Sequence, residues 1–384
     1  MKINKAYKFR LYPTDEQKIL INKTFGCTRL VYNYYLNKKQ KSYKNENKRI
    51  SAYDCIKDLK NLYIEYPFLK EIDSISLRCA LLDLDNAYQK FFKEKIGYPK
   101  YKRKFDKNSY RTNFITSMYK GKNYQNIKLD LINKTITLPK LKEVRIKGYR
   151  KLTKIDGRII NATVSKEKNN KYYVSVVFEE ELNEKEIVPN KIVGLDLGIK
   201  DLVITSDGVK HDNKKVIEKY EKRIKRKQRE LSRKTKGSNN YYKTKQKLAR
   251  LYTKIKNTRN YTIHKITKEI TDNNDITVTE TLKIKNMVKN HHLAKSLQDA
   301  SLSEIIRQLI YKAKWKFKKL YQIDTFYPSS QICSKCDYKN EITKDLKIRK
   351  YECPNCHNEL DRDLNASENI MFEGLKLYMK EQLS

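Results

Sequence analysis

The sequence predicts a multidomain α+β chain, and three observations carry that expectation. Apolar spacing is helical over 14–95 and becomes strand-like alternation over about 113–182. From Lys191 onward, strand-length apolar runs alternate with helix-length segments, the pattern of a sheet covered by helices. Two Cys-x-x-Cys pairs, Cys333/Cys336 and Cys353/Cys356, flank sixteen residues, a separation at which two tight knuckles can close one tetrahedral metal site. At 384 residues the chain has room for two to four domains.

Residues 2–11 alternate as a short basic strand that Pro13 ends. Thr14-Asp-Glu-Gln17 reads as a capping box opening a helix, which Gly26 would bend or interrupt. A second helix is expected over about 52–65, stopping before Pro67. A third covers about 75–95, with Leu77, Leu81, Leu84, Tyr88 and Phe91 on one core-facing stripe. The segment 98–111 is basic and rich in tyrosine, which suits a phosphate-contacting arm. Strands follow: NIKLDLINKTITLP with a turn at Asn133-Lys134, then VRIKGY, then IINATVSKE and YYVSVVFEEE joined by a polar turn. Together they suit a small β-barrel closed by the N-terminal strand, with the helices of 14–95 as an insertion. Residues 181–190 read as a linker.

IVGLDLGIKDLVITSDG is a buried strand pair around a tight turn, and it places Asp196 among apolar neighbours. A carboxylate there is costly unless it meets a cation or metal. Residues 214–256 form a helical hairpin with 18 lysines and arginines against three glutamates, turning at Gly237-Ser-Asn-Asn240. Basic residues on most faces suit a phosphate-lined groove. DITVTE is a strand ending at Glu280. Ser301-Leu-Ser-Glu304 reads as a second capping box, starting a helix to about Lys318. YQIDTFYP is expected as a strand, the paired cysteines as a zinc ribbon, and 364–380 as the last helix.

Composition sets the partner class. Eighty-five lysines and arginines against 45 acids leave a net charge of +40, with 29 tyrosines. Such an excess repels itself unless a polyanion offsets it, and rings among cations suit stacked bases, so nucleic acid is the expected partner. No long apolar run or lipidation signal points to a membrane. MKINKAYKFRLYP has no signal-peptide core, and Cys27, Cys55 and Cys79 lack an evident pairing, so a reducing cytoplasm is expected.

Asp196 in a first strand, Glu280 at the end of a later one and an acid of Asp361-Arg-Asp363 at the head of the last helix share one description. Their order is compatible with a ribonuclease-H-like sheet on which such acids converge. Three hard oxygen ligands suit Mg2+ or Mn2+, and two such ions can clamp the attacking water and leaving oxygen of a phosphodiester.

These stretches resemble the TnpB/OrfB family, transposon-encoded RNA-guided DNA endonucleases related to type V CRISPR effectors. KAYKFRLYPTDEQKILINKTFGCTRLVYN is similar to the family's N-terminal segment, VGLDLGIKDLVITSDG to its first RuvC-type motif and VTETLKIKNMVKN to its second. FYPSSQICSKC, RKYECPNC and DRDLNASENI are similar to its ribbon and third motif. The resemblance implies Asp196, Glu280 and Asp363 as catalytic Mg2+ ligands. It selects Asp363, two residues before Asn365, and leaves Asp361 as a cap or supporting residue. It implies a wedge β-barrel over 1–11 and 119–185, a helical recognition domain over 12–118, and a RuvC domain over 186–327 and 359–384. A zinc-ribbon insert would cover 328–358, with structural zinc on Cys333, Cys336, Cys353 and Cys356. The implied partners are a guide RNA from the transposon end and double-stranded target DNA bearing a short adjacent motif. Lys102 and Arg103 would then hold DNA backbone, while Thr112 and Asn113 could reach base edges.

The chain departs from the family pattern at Asp337 and His357, where knuckle glycines are common, at Thr281 and at Ser367. Knuckle geometry favours a positive φ, so the first two turns should carry strain. Two rival functions are a transposase or transposase accessory factor, and a nuclease-independent guided DNA-binding protein. A single-strand transposase needs a His-hydrophobic-His site, and His291-His292 are adjacent instead. A pure binding protein would lack one of the acids.

Overall fold

In the computed structural model, the residues described are 1–383 apart from 120–121, 149–151, 184–187, 288 and 346–347, so part of the expected linker lies outside them. The chain divides into two units, Met1–Leu182 and Asn183–Ser384.

The first unit is built on β1 (Lys2–Tyr12), whose alternation puts Ile3, Phe9 and Leu11 inward. Three helices follow: α1 (Asp15–Glu46), α2 (Ala52–Glu65) and α3 (Ser74–Glu94). The expected capping box is present. Gln17 N–H donates to Thr14 Oγ1 at 3.3 Å and Thr14 N–H to Gln17 Oε1 at 3.0 Å. The Gln17 amide also donates to the carbonyls of Leu141 and Glu143, which ties the helix start to the sheet. α1 runs through Gly26 without interruption. Val31, Tyr35, Leu36, Leu59, Leu62, Leu77, Leu81 and Leu84 close a core among the three helices.

The remaining strands are β2 (Asn108–Asn113), β3 (Thr116–Tyr119), β4 (Lys122–Gln125), β5 (Lys128–Asp130), β6 (Thr135–Leu138), β7 (Lys142–Lys147), β8 (Arg158–Lys166) and β9 (Tyr172–Glu181). β3 and β4 form a separate hairpin; the others join β1 in a seven-stranded antiparallel sheet, order β2-β8-β9-β1-β7-β6-β5. Buried Asn126, just before β5, accepts from the N–H of Ile115, just after β2, and donates to the carbonyl of Asn113, the last residue of β2. The two edge strands meet there, and the sheet curls on itself around one core. β2 lies inside the span expected to be helical, so strand structure begins about ten residues earlier than residue 119.

The second unit contains β10 (Ile192–Asp196), β11 (Asp201–Thr205), β12 (Lys210–Asp212), α4 (Val216–Ser232), α5 (Asn239–Asn273), β13 (Ile276–Glu280), α6 (Ile284–Met287), α7 (His291–Ala300), α8 (Leu302–Trp315) and β14 (Lys319–Ile323). The ribbon strands β15 (Lys350–Glu352) and β16 (Glu359–Asp361) follow, and α9 (Arg362–Leu383) ends the chain. The main sheet has the order β12-β11-β10-β13-β14, with β10, β13 and β14 parallel. α5 extends well past the expected hairpin end at 256. The expected second capping box is absent: Ser301 has a left-handed backbone, φ 53°, and its hydroxyl donates back to the Gln298 carbonyl. The strand expected over 321–328 is shorter and earlier, because Asp324 accepts from Phe326 N–H and turns the chain.

Strand alternation sorts the sheet's two faces. Val193 and Leu195 pack with Ile263, Ile266 and Ile270 of α5 and with Ile305 and Leu309 of α8. Ile276, Val278 and Ile323 pack with Ile370 of α9 on the other face. Two glycines let α9 approach. A Cβ on Gly194 would stand 2.0 Å from the Ser367 carbonyl oxygen, and one on Gly374 2.2 Å from Val278 Cγ2.

Candidate active site and metal centre

Two of the three acids are placed by register. Leu195 pairs with Thr279 on the neighbouring parallel strand, so Asp196 and Glu280 occupy the next positions, at the carboxyl ends of β10 and β13. Period-two alternation carries both to the α9 face, since Gly194 and Val278 already lie against α9. Asp196 is therefore the last residue of its strand, where mid-strand was expected. α9 begins at Arg362 and supplies Asp363 in its first turn. Asp361 caps that helix: its Oδ1 accepts from Asp363 N–H at 3.0 Å and Leu364 N–H at 3.3 Å. Its other oxygen takes Lys210 Nζ at 2.7 Å.

Asp196 lies in the electrostatic field of the other two acids. Burial pushes the Asp196 carboxyl up to about 8, and the negative charges of Glu280 and then Asp363 add to the shift. The Arg362 guanidinium opposes it. Burial also raises Glu280, against a 2.6 Å hydrogen bond donated by Ser329 Oγ to its Oε1. Asp363 Oδ2 has Arg349 Nη1 at 3.5 Å. Carboxylates that offer oxygen donors alone, with Asp196 and Glu280 half-buried, fit hard divalent cations.

The four cysteines form the second centre. Their sulfurs all lie within 4.8 Å of one another, with Cys333–Cys356 at 3.6 Å and Cys336–Cys353 at 3.5 Å. Sulfurs around a tetrahedral zinc with Zn–S of about 2.3 Å would be about 3.8 Å apart, so the set fits a four-thiolate metal. Each knuckle is closed from its first cysteine: Asp337 N–H donates to the Cys333 carbonyl and His357 N–H to the Cys353 carbonyl. Asp337 and His357 have φ of 58° and 56°, the left-handed conformation that glycine favours, so both turns carry the expected strain. The cluster comprises cysteines alone, and His357 is outside it. The Tyr338 backbone and then the Asn355 amide, as hydrogen-bond partners, hold the Cys336 thiol down at about 6.

Sequence reasoning passed over what joins these centres. Buried Asn369 donates to the carbonyls of Ser329 and Ile332, and buried Asn365 donates to Ile332 and accepts from Ser334 N–H. Arg362, 6% exposed, reaches Ser330 Oγ at 3.4 Å. The four-residue spacing of the two asparagines, on one helix face, was the available signal.

The expected nucleic-acid residues fare differently. Lys102 and Arg103 are exposed on a loop pinned to α1, since Asn33 exchanges two hydrogen bonds with the Lys102 backbone. Lys102 Nζ stands 3.8 Å from the Tyr32 ring centroid. Asn113 is half-buried and accepts from Arg111 at 3.1 Å. Thr112 is a correction: it is 1% exposed and donates to Asp73 Oδ2 at 2.6 Å, so it cannot reach a base edge. The inward half of the β2 alternation claims it for the core.

Residues 173–291 match a family model described as "Probable transposase" (OrfB of the IS605 type) and residues 303–370 a Cas12f1-like TNB domain. Residues 1–48 match a "Helix-turn-helix domain", although they fold here as β1 and the single helix α1. A Streptomyces pristinaespiralis protein named "Putative RNA-guided DNA endonuclease" is 32% identical, covering 97% of this chain and 90% of that one. The Escherichia coli K12 protein "Putative RNA-guided DNA endonuclease InsQ" is 31% identical over 97% of this chain and 93% of its own length. A solved Cas12f1–sgRNA–target DNA complex covers 96% of this chain and 99% of that one at 15% identity and a TM-score of 0.37. By its near full-length identity to the first two, this chain belongs to the TnpB/OrfB family.

Proposed function

We propose that this protein is an RNA-guided DNA endonuclease that hydrolyses phosphodiesters of a double-stranded target at Asp196, Glu280 and Asp363. The observation that carries the reading is geometric: Asp196 and Glu280 stand at adjacent positions on the carboxyl ends of β10 and β13, facing the helix whose first turn carries Asp363. Ionising all three carboxylates together would require cations to offset their charge. Two divalent ions, Mg2+ or Mn2+, would be held by these residues and would supply charge neutralisation and an activated water. The chain's own groups set the stage. Arg362 favours the ionised form of Asp196, and Asp361 fixes the first turn that presents Asp363.

Zinc on Cys333, Cys336, Cys353 and Cys356 would be structural, because four thiolates leave no position for water. The guide is a transcript of the transposon end, and base pairing to it selects the target. The curled sheet of 1–11 and 119–185, with β2 added, would act as the wedge, the helices of 12–118 as the recognition domain, and 186–327 with 359–384 as the RuvC nuclease. Residues 328–358 are the ribbon insert. Lys102 and Arg103 would contact DNA backbone beside the target, with Asn113 as the remaining candidate base reader. Among the described residues no helix is long and apolar enough to cross a membrane, and a chain of charge +40 would work in the cytoplasm at the nucleoid. Cleavage of a matched duplex by the protein with its copurified RNA tests this reading. Removal of the RNA, or Asp196→Ala, should abolish site-specific cutting; equal cutting in all three samples would overturn it.

A further inference from the structure

Glu280 is a long side chain at a strand end, and among the described residues one short contact orients it: Ser329 Oγ donates to its Oε1 at 2.6 Å. Ser329 is itself held with little freedom. It is 6% exposed, its N–H donates to the Tyr327 carbonyl, and its own carbonyl accepts from Asn369 at 2.8 Å. The next residues are equally fixed. The Ser330 carbonyl accepts from Thr343 Oγ1, and the Ile332 carbonyl accepts from both Asn365 and Asn369. Cys333 N–H then donates to Tyr338 within the first cysteine knuckle. Ser329 to Ser334 thus form a strap clamped by α9 along one side and closed by the four-sulfur cluster at its end. The same helix carries Asp363 two residues before Asn365.

We propose that Ser329 is the positioning residue of Glu280. Its hydroxyl occupies Oε1 and so fixes the carboxylate plane, leaving Oε2 as the oxygen free to meet a cation. The strap makes this orientation depend on the cysteine knuckle and on Asn369, so the ribbon steers Glu280 as well as Asp363. The inference rests on the metal-site reading above. Hydrogen-bond partners of a metal-ligating carboxylate are worth about 10–100-fold in metal affinity, because they hold the ligand in its bound rotamer.

The test is a Mn2+ titration of the full-length, zinc-loaded protein, following the free-ion EPR signal, with zinc content and thermal melting measured beside it. Ser329→Ala should weaken Mn2+ binding about 10–100-fold while keeping zinc and the melting temperature. Ser329→Thr, which keeps the hydroxyl, should restore much of the affinity. In cleavage, Ser329→Ala should demand more Mg2+ for half-maximal rate yet approach the parent rate at saturation. Unchanged Mn2+ affinity in Ser329→Ala beside a loss in Glu280→Gln would overturn the positioning role alone. No loss in Glu280→Gln would overturn the metal-site reading and this proposal with it. Loss of zinc in Ser329→Ala would also overturn it, since the residue would then be holding the ribbon rather than the carboxylate.

Discussion

Asp196 is where burial and charge conflict most in this molecule. Its folded carboxyl keeps a proton up to about pH 8, whereas an unfolded aspartate loses it near 4. In metal-free protein the native state therefore binds the extra proton between those values. The stability it contributes is fully present below about pH 4 and is lost as pH rises through about 8. Asp196→Asn should remove that pH dependence and raise the melting temperature of metal-free protein at pH 8, while lowering cleavage about a thousandfold or more. Paired melts at pH 5 and pH 8 check the first half. An undiminished pH slope in the variant would contradict it. Cation binding should strengthen as pH rises toward 8, because only the ionised carboxylate is a ligand. Asp196 and Glu280 were legible in the sequence because the first is an acid set among apolar residues and the second an acid ending an apolar run. Ser329 was not, since a serine before a cysteine knuckle has no pattern of its own until the fold brings Glu280 beside it.

At the scale of elements, the site depends on how closely α9 lies on the sheet. Gly194→Ala would drive a methyl into the Ser367 carbonyl, a backbone atom that cannot rotate away. It should destabilise the protein by about 1–3 kcal/mol and reduce cleavage, as Asp363 moves with its helix. Gly374→Ala meets the side chain of Val278 instead, so Val278→Ala should rescue part of the loss in the double variant. Additive losses in a denaturation series would contradict that pairing. Cys353→Ser should release the metal and lower melting temperature and cleavage together; metal analysis of fresh protein that finds no zinc would count against the ribbon assignment. Elements with local signals were read well: the Thr14 box, the helix ending before Pro67 and the strand ending at Glu280. The Ser301 box failed because a left-handed backbone at the cap turns the hydroxyl to Gln298. A motif of four residues does not specify that φ.

For the whole molecule the dominant quantity is charge. Eighteen cations in 214–256 and the loop at Lys102 and Arg103 should bind phosphates without regard to sequence. Lys102→Ala with Arg103→Ala should weaken binding to all duplexes and flatten the salt dependence, which a titration series in salt would reveal. Asn113→Ala should relax one base preference by about 1–3 kcal/mol. An unchanged profile on a randomised flank would remove Asn113 from the reading surface. The chain's order of strands and helices made both units legible in outline. The closing of the sheet through Asn126 was not, because that contact joins residues whose proximity only the completed sheet creates. The central claim is that RNA supplies the sequence and the three acids supply the cut. Its most direct measurement is to load the protein with its copurified RNA carrying a replaced guide segment, and to map cleavage on DNA holding both the old and the new target. The cut should move to the new target and vanish with Asp196→Ala. A cut that stays at the old site, or appears without RNA, would contradict the account.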